Sequence, residues 1–339
     1  MNARHFAAAA LLALSVSSPV AAADSSVTLR LSYFLPPSHP LQRSFQEWAA
    51  GIEKASDGTL KTTIFPAEQL GKAFDHYDMA RDGIADIALV GPGYQPGRFP
   101  VAGAADLPFL YNDGKKGTAA VDAWYRKYAP AEMKDVHFCL GFIQEPATFF
   151  SRKKTVLPDD IKGQKVRSPG AVMANLVTDL GGTNVSAPPQ QSRELIERGV
   201  ADGTFVPQGS AVLFGIDKVA KYHIDAKMNA WFGTVVINAS KYAALSPSQK
   251  KALDENCSAE AAVRLATPWA DFEVAGREKL IKQPGQETIA LTQAQTEAWR
   301  KAALPLVAAW SDTVRKVSVD PDKAMQELKD SLKSYEAAY

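Results

Sequence analysis

From residue 28 onward, short alternating or continuous apolar runs are separated by stretches in which apolar residues recur at helical spacing. Residues 28–34 alternate, with Leu29, Leu31 and Tyr33 on one face, and predict a strand. Phe45, Trp48, Ala49, Ile52 and Ala55 follow at helical spacing, and Asp57-Gly58 ends that helix. Residues 60–65 read as a second strand, 72–81 as a second helix closed by Asp82-Gly83, and 84–90 as a third strand. The third strand is nearly all apolar, as a strand covered on both faces should be. This β-α-β-α-β order argues for a parallel sheet with right-handed crossovers. Residues 117–128 predict a helix and 136–143 a further apolar strand.

The chain is then organised around Leu157 to Gly170. Pro158 is preset for a helical turn, and Asp159 and Asp160 read as solvated charge at its positive end rather than as catalytic carboxylates. Gly163 stops the turn, residues 164–168 predict a short strand, and Pro169-Gly170 ends it. Val172, Leu176, Val177 and Leu180 then predict a helix. Arg167 therefore falls at the C-terminal tip of a strand just before a helix, where open α/β sheets bind ligands. Its planar fork suits a carboxylate or phosphate through two parallel charge-assisted hydrogen bonds. On local pattern alone, a surface charge or structural ion pair is the commoner role for such an arginine.

A second β-α series follows, with strands at 183–186, 202–206 and 231–238 and a helix at 190–198. Capping boxes at Ser246-Pro247-Ser248-Gln249 and Thr292-Gln293-Ala294-Gln295 open helical patterns running to Ile281 and Arg315, and Asp320-Pro321 starts a last helix. The fold class expected is α/β, with two lobes bound together by long helices.

The N-terminus stands outside this pattern. Arg4 and His5 precede an apolar run from Phe6 to Val16, and Ala21-Ala22-Ala23 before Asp24 is a cleavage signal. Residues 1–23 are therefore expected to be a signal peptide, cleaved near Ala23/Asp24 from an exported, periplasmic protein. The chain has 38 Lys+Arg and 37 Asp+Glu, and Arg4 is the only such charge before Asp24, so the mature chain is formally neutral. That disfavours nucleic-acid partners and polybasic membrane binding. No metal-ligand spacing involves Cys139 or Cys257; they are either a disulfide or two buried thiols. Gly-x-Ser-x-Gly, His-Glu-x-x-His and a Walker loop are absent, and the histidines are scattered. No cofactor is expected.

Several motifs, in order, carry a resemblance. They are His39-Pro40, Ser56-Asp57-Gly58-Thr59-Leu60, Phe65-Pro66-Ala67-Glu68-Gln69-Leu70-Gly71 and Gly97-Arg98-Phe99-Pro100. Leu107-Pro108-Phe109-Leu110, Pro158 to Arg167, Gly199-Val200-Ala201-Asp202-Gly203 and Val236-Ile237-Asn238 follow. From about Leu29 to the last helix the chain resembles the periplasmic solute-binding subunits of tripartite ATP-independent periplasmic (TRAP) transporters. The resemblance implies a hinged, two-lobed binding protein with a long helix spanning both lobes. Lobe one would take residues 24–144, about 233–272 and the C-terminal helices 292–339; lobe two would take 145–232 and about 273–291. It implies that Arg167 holds the carboxylate of a small organic acid, and that the partner is a TRAP-type inner-membrane permease. The protein is expected to be a monomer and not an enzyme. The alternative is the same fold presenting its ligand to a membrane sensor, with a periplasmic enzyme behind that.

Two departures bear on the ligand. Ala147-Thr148-Phe149 stands where sugar-acid-binding relatives often carry a second arginine, and Val206 stands at the position of an often ligand-contacting asparagine. Phe149, Phe205, Trp231 and Phe232 are candidate apolar walls in such a fold, against plain core packing. His39 and Tyr94 are candidate hydrogen-bond donors from lobe-one loops, against loop capping. Asn238 is read as satisfying backbone groups at a strand end.

Overall fold

The computed structural model describes residues 24–339; the predicted signal peptide and its cleavage junction lie outside the described residues. In chain order the first half runs β1 (Val27–Ser32), α1 (Leu41–Ala55), β2 (Leu60–Phe65), α2 (His76–Arg81), β3 (Ile87–Val90), α3 (Gly114–Tyr125), α4 (Ala129–Glu132) and β4 (Val136–Ile143). Then come β5 (Thr148–Ser151), β6 (Lys165–Ser168), α5 (Ala171–Asp179), β7 (Thr183–Ser186), α6 (Ser192–Glu197), β8 (Gly203–Val206), α7 (Gln208–Leu213) and β9 (Tyr222–Ile224). The chain ends with β10 (Phe232–Asn238), α8 (Ala239–Ala243), α9 (Pro247–Glu255), α10 (Ala259–Ile281), β11 (Glu287–Ile289), α11 (Gln293–Arg315) and α12 (Pro321–Ser334).

Two sheets form, ordered β2-β1-β3-β10-β4 and β11-β9-β5-β8-β6-β7. The β-α series pair in parallel: β1 with β2 and β3, and β6 with β7 and β8. Neither sheet is purely parallel, however. β10 runs antiparallel to β3 and β4, and β5 runs antiparallel to β8 and β9. The reason lies in the connections. A parallel neighbour needs a crossover, generally a helix. β4 reaches β5, and β9 reaches β10, by extended chain passing straight from one sheet to the other. These two crossings pair with each other, Ala147 N donating to Asn229 O at 2.6 Å and Met228 N to Ala147 O at 2.9 Å.

The long helix α10 is the third connection. It packs on α1, α3 and β4 beside the first sheet and on α7 beside the second. The pattern from Ser246 to Ile281 predicts one helix, but the chain breaks between α9 and α10, where Ser258 caps the new helix by accepting from Ala261 N. Cys257 lies in that break and is disulfide-bonded to Cys139 of β4, a separation of 118 residues. This resolves the alternative between a disulfide and buried thiols, and it suits an oxidising compartment. Asn238 donates to the carbonyls of Ala80 and Arg81 and caps α8, as a strand-end residue should. β9 and β11 have three residues each, too short to show a period in sequence. Among the described residues no helix is long and apolar enough to cross a membrane.

Candidate ligand-binding site

Between the two sheets lies a small cavity lined by residues of both. Arg167 is its cation. β6 is four residues long and lies between β7 and β8, and strand alternation sends Val166 into the core on one face and Arg167 to the other. Arg167 is only 2% exposed. Its Nε donates to the Ala187 carbonyl at 2.8 Å, and one terminal nitrogen reaches the Phe205 carbonyl at 3.5 Å. Among the described residues it forms no ion pair. Burial draws its pKa below the usual value, opposed by the neighbouring Tyr94 phenol; an arginine nonetheless stays charged. A buried cation without a counter-ion is costly, and the remaining donors of its fork suit an anion.

The walls are aromatic. Tyr94, in the turn after β3, has its phenol pushed up to about 12 by burial, partly offset by the charge of Arg167 beside it. Phe34, following β1, meets Tyr94 edge-on at 5.7 Å and Trp231 at 6.0 Å between ring centroids. Trp231 lies 6.3 Å from Trp269 of α10, and Trp269 lies 4.8 Å from His39. His39 also stacks on Phe214, 6.3 Å away at an interplanar angle of 12°. Phe205 and Val206 of β8 complete the lobe-two side, and Gln144 at the end of β4 adds a carboxamide.

Arg167, Phe205, Val206, Trp231, Tyr94 and His39 thus come together around one cavity. Phe149 and Phe232 do not. Phe149 lies behind the wall, packed on Phe205 at 4.9 Å, and Phe232 packs on Tyr125 at 5.2 Å. Phe149 is the cross-strand partner of Phe205 and shares its face, one strand further from the cavity; the Phe232 misplacement is a matter of strand parity. Successive residues face opposite sides, so with Trp231 facing the cavity Phe232 must face the core. Phe34, Gln144, Phe214 and Trp269 were missed. Trp269 looks like any core residue of a long helix, and Gln144 and Phe214 sit just past the ends of elements where no period applies.

A buried carboxylate supports this wall. Glu273 of α10 accepts from Trp269 Nε1 at 2.7 Å, from Ser210 N at 2.8 Å and from Ser210 Oγ. It therefore orients the Trp269 indole and satisfies the first turn of α7. Burial pushes its pKa up to about 7 against the effect of these donors.

The lobes meet at the rim. Gln190 Nε2 donates to the Phe34 carbonyl at 3.2 Å. A Cβ built on Gly170 would stand 3.4 Å from the Gly93 Cα, so the backbones are in near contact there.

Residues 31–313 match the model of bacterial extracellular solute-binding protein family 7. The chain belongs to this family. Its fold is that of TRAP solute-binding proteins. The TRAP solute-binding protein of Rhodoferax ferrireducens, in complex with copurified benzoate, aligns over 92% of this chain and 99% of its own, with 23% identity and a TM-score of 0.85. A marine metagenome TRAP solute-binding protein specific for aromatic acid ligands, in complex with metahydroxyphenylacetate, covers 92% and 100% with 26% identity and a TM-score of 0.85. The Bordetella bronchiseptica TRAP periplasmic solute-binding protein with bound (R)- and (S)-mandelate covers 91% and 99% with 27% identity and a TM-score of 0.84. The protein is accordingly an extracytoplasmic solute-binding protein of the TRAP type, and the family is one of solute-binding proteins rather than enzymes.

Proposed function

We propose that this protein captures a monocarboxylate with an apolar or aromatic body in the periplasm and delivers it to a TRAP-type inner-membrane permease. The observation that carries the reading is the buried Arg167 guanidinium, without a counter-ion among the described residues, facing a cavity walled by aromatic rings. The ligand carboxylate neutralises that charge in a site shielded from water, where the attraction is stronger than in bulk solvent. Apolar surface on the ligand gains about 25 cal/mol per Å² buried. A sugar acid would bury several hydroxyls against these rings, and each unmatched polar group costs about 1–3 kcal/mol. Two related binding proteins that hold aromatic acids and mandelate support the same class.

Residues 24–144 with about 233–272 and 292–339 form one moving body in this reading, and 145–232 with about 273–291 the other. The protein acts as a monomer, and the permease recognises the closed form, whose population the ligand raises. The test is competitive binding among benzoate, pyruvate, succinate and glucuronate, read by thermal shift and calorimetry. Benzoate is expected to bind tightest; tightest binding of glucuronate overturns the reading.

A further inference from the structure

His39 contributes to the cavity a buried hydrogen-bond donor that no described residue uses. Its ring is 2% exposed. Nδ1 accepts from Leu41 N at 3.2 Å, at the start of α1. A nitrogen that accepts carries no proton, so in the neutral ring Nε2 is the N–H. Burial holds the ring neutral, its pKa lowered to about 3. Nε2 has no partner among the described residues, and the ring contacts Phe214 and Trp269, both cavity residues. Trp231 Nε1 is a second buried donor without a partner on the same wall. Gln144 stands beside Trp231, its backbone N donating to Trp231 O at 3.2 Å, and its carboxamide makes no hydrogen bond with the described residues. The two sides of the cleft therefore differ. The second sheet offers the cation, Arg167, while the loops of the first sheet offer neutral donors set among rings to which α10 adds Trp269.

We infer that the ligand carries, besides its carboxylate, a hydroxyl that accepts from His39 Nε2–H, making the substrate class hydroxylated aromatic acids. The inference rests on the carboxylate reading of the same site. An isolated buried donor costs free energy until it is paired, and the ligand is the group placed to pair it when the lobes close. Such a ligand touches both lobes with polar ends, one on Arg167 and one on His39, and so favours closure more than a plain aromatic acid does. Gln144, also on the cavity lining, adds a carboxamide oxygen that can accept from a ligand hydroxyl.

Calorimetry with benzoate, 3-hydroxybenzoate, 4-hydroxybenzoate and mandelate as probes tests this on the purified protein and two variants. His39→Asn keeps an acceptor near the Nδ1 position and loses the Nε2 donor; His39→Gln restores a donor near the Nε2 position. At least one hydroxylated probe should bind the wild type about five- to tenfold tighter than benzoate. His39→Asn should bring that ratio close to one, whatever it does to benzoate affinity itself, and His39→Gln should recover part of it. Equal or tighter binding of benzoate by the wild type, or a ratio unchanged in His39→Asn, overturns the inference while leaving the carboxylate reading intact. Failure of every probe to bind overturns that reading itself, and this inference with it.

Discussion

Gly209 at the start of α7 and Gly276 on α10 touch backbone to backbone. A Cβ built on Gly276 would overlap the Gly209 Cα and stand 2.8 Å from its nitrogen. The contact brings α7 close enough for Glu273, one turn earlier on α10, to accept from Ser210 N. Gly276→Ala places a methyl where only backbone can yield. The helix gains about 0.5–1 kcal/mol of intrinsic propensity, but overpacking costs about 1–3 kcal/mol. The expected outcome is a lower melting temperature and weaker ligand binding, because Ser210 and Phe214 move with α7. A melting temperature raised by the propensity gain alone would show that the helices are not in this contact.

Arg167 should show a trade between stability and function. Arg167→Lys keeps the charge, loses the fork and should weaken carboxylate binding by about 1–3 kcal/mol. Arg167→Met should abolish measurable binding. Without ligand, however, the Met variant should melt at or above the wild-type temperature, since a buried unpaired charge is replaced by an apolar chain. Thermal unfolding of both proteins, with and without benzoate, checks this; a strongly destabilised unliganded Met variant would assign Arg167 a structural role.

Glu273 predicts a pH dependence of definite sign. Its folded pKa, about 7, lies above the value of an exposed glutamate. Below the unfolded pKa both states hold the proton. As pH rises from about 4.5 to about 7 the unfolded state releases it first, and stability falls until the folded pKa is passed. Asp106 is shifted in the same direction by burial, so the measurement needs a difference. The melting temperature of the wild type minus that of Glu273→Gln should shrink between pH 5 and pH 8. Asp106 is present in both proteins and cancels. A constant difference would place the Glu273 pKa in the ordinary range.

The Cys139–Cys257 bridge ties β4 to the α9–α10 break over 118 residues. Closing so long a loop restricts the unfolded chain, and its removal should cost about 2–5 kcal/mol. Chemical denaturation of Cys139→Ser/Cys257→Ser against the wild type measures the loss, and a midpoint unchanged by the double substitution would contradict it.

Gln190 and the Phe34 carbonyl join the lobes at the cavity rim. Gln190→Ala should weaken ligand binding severalfold by removing a contact that ties the two sides of the cleft together. Saturating ligand should lower the radius of gyration in solution scattering for the wild type, and less so for the variant. Identical profiles with and without ligand, with binding confirmed by calorimetry, would rule out a hinged closure.

The two β-α series, the long C-terminal helices and the place of Arg167 at a strand tip followed from periodicity and turn residues, because these are local properties of the chain. Pro169-Gly170 marks the end of β6 whatever surrounds it. The antiparallel insertion of β5 and β10 did not follow, since no local pattern says that a strand has come from another sheet. Nor did the split between Trp231 and Phe232. A one-residue change of strand parity exchanges cavity and core, and only pairing with β3 and β4 decides it. The same holds for Arg167 and His39. Their positions are written in sequence, but a cation without a carboxylate and an imidazole N–H without an acceptor are facts about which distant groups arrive nearby. Long-range packing decides that, because a polar group is satisfied or orphaned by every residue around it in space, not by its neighbours along the chain.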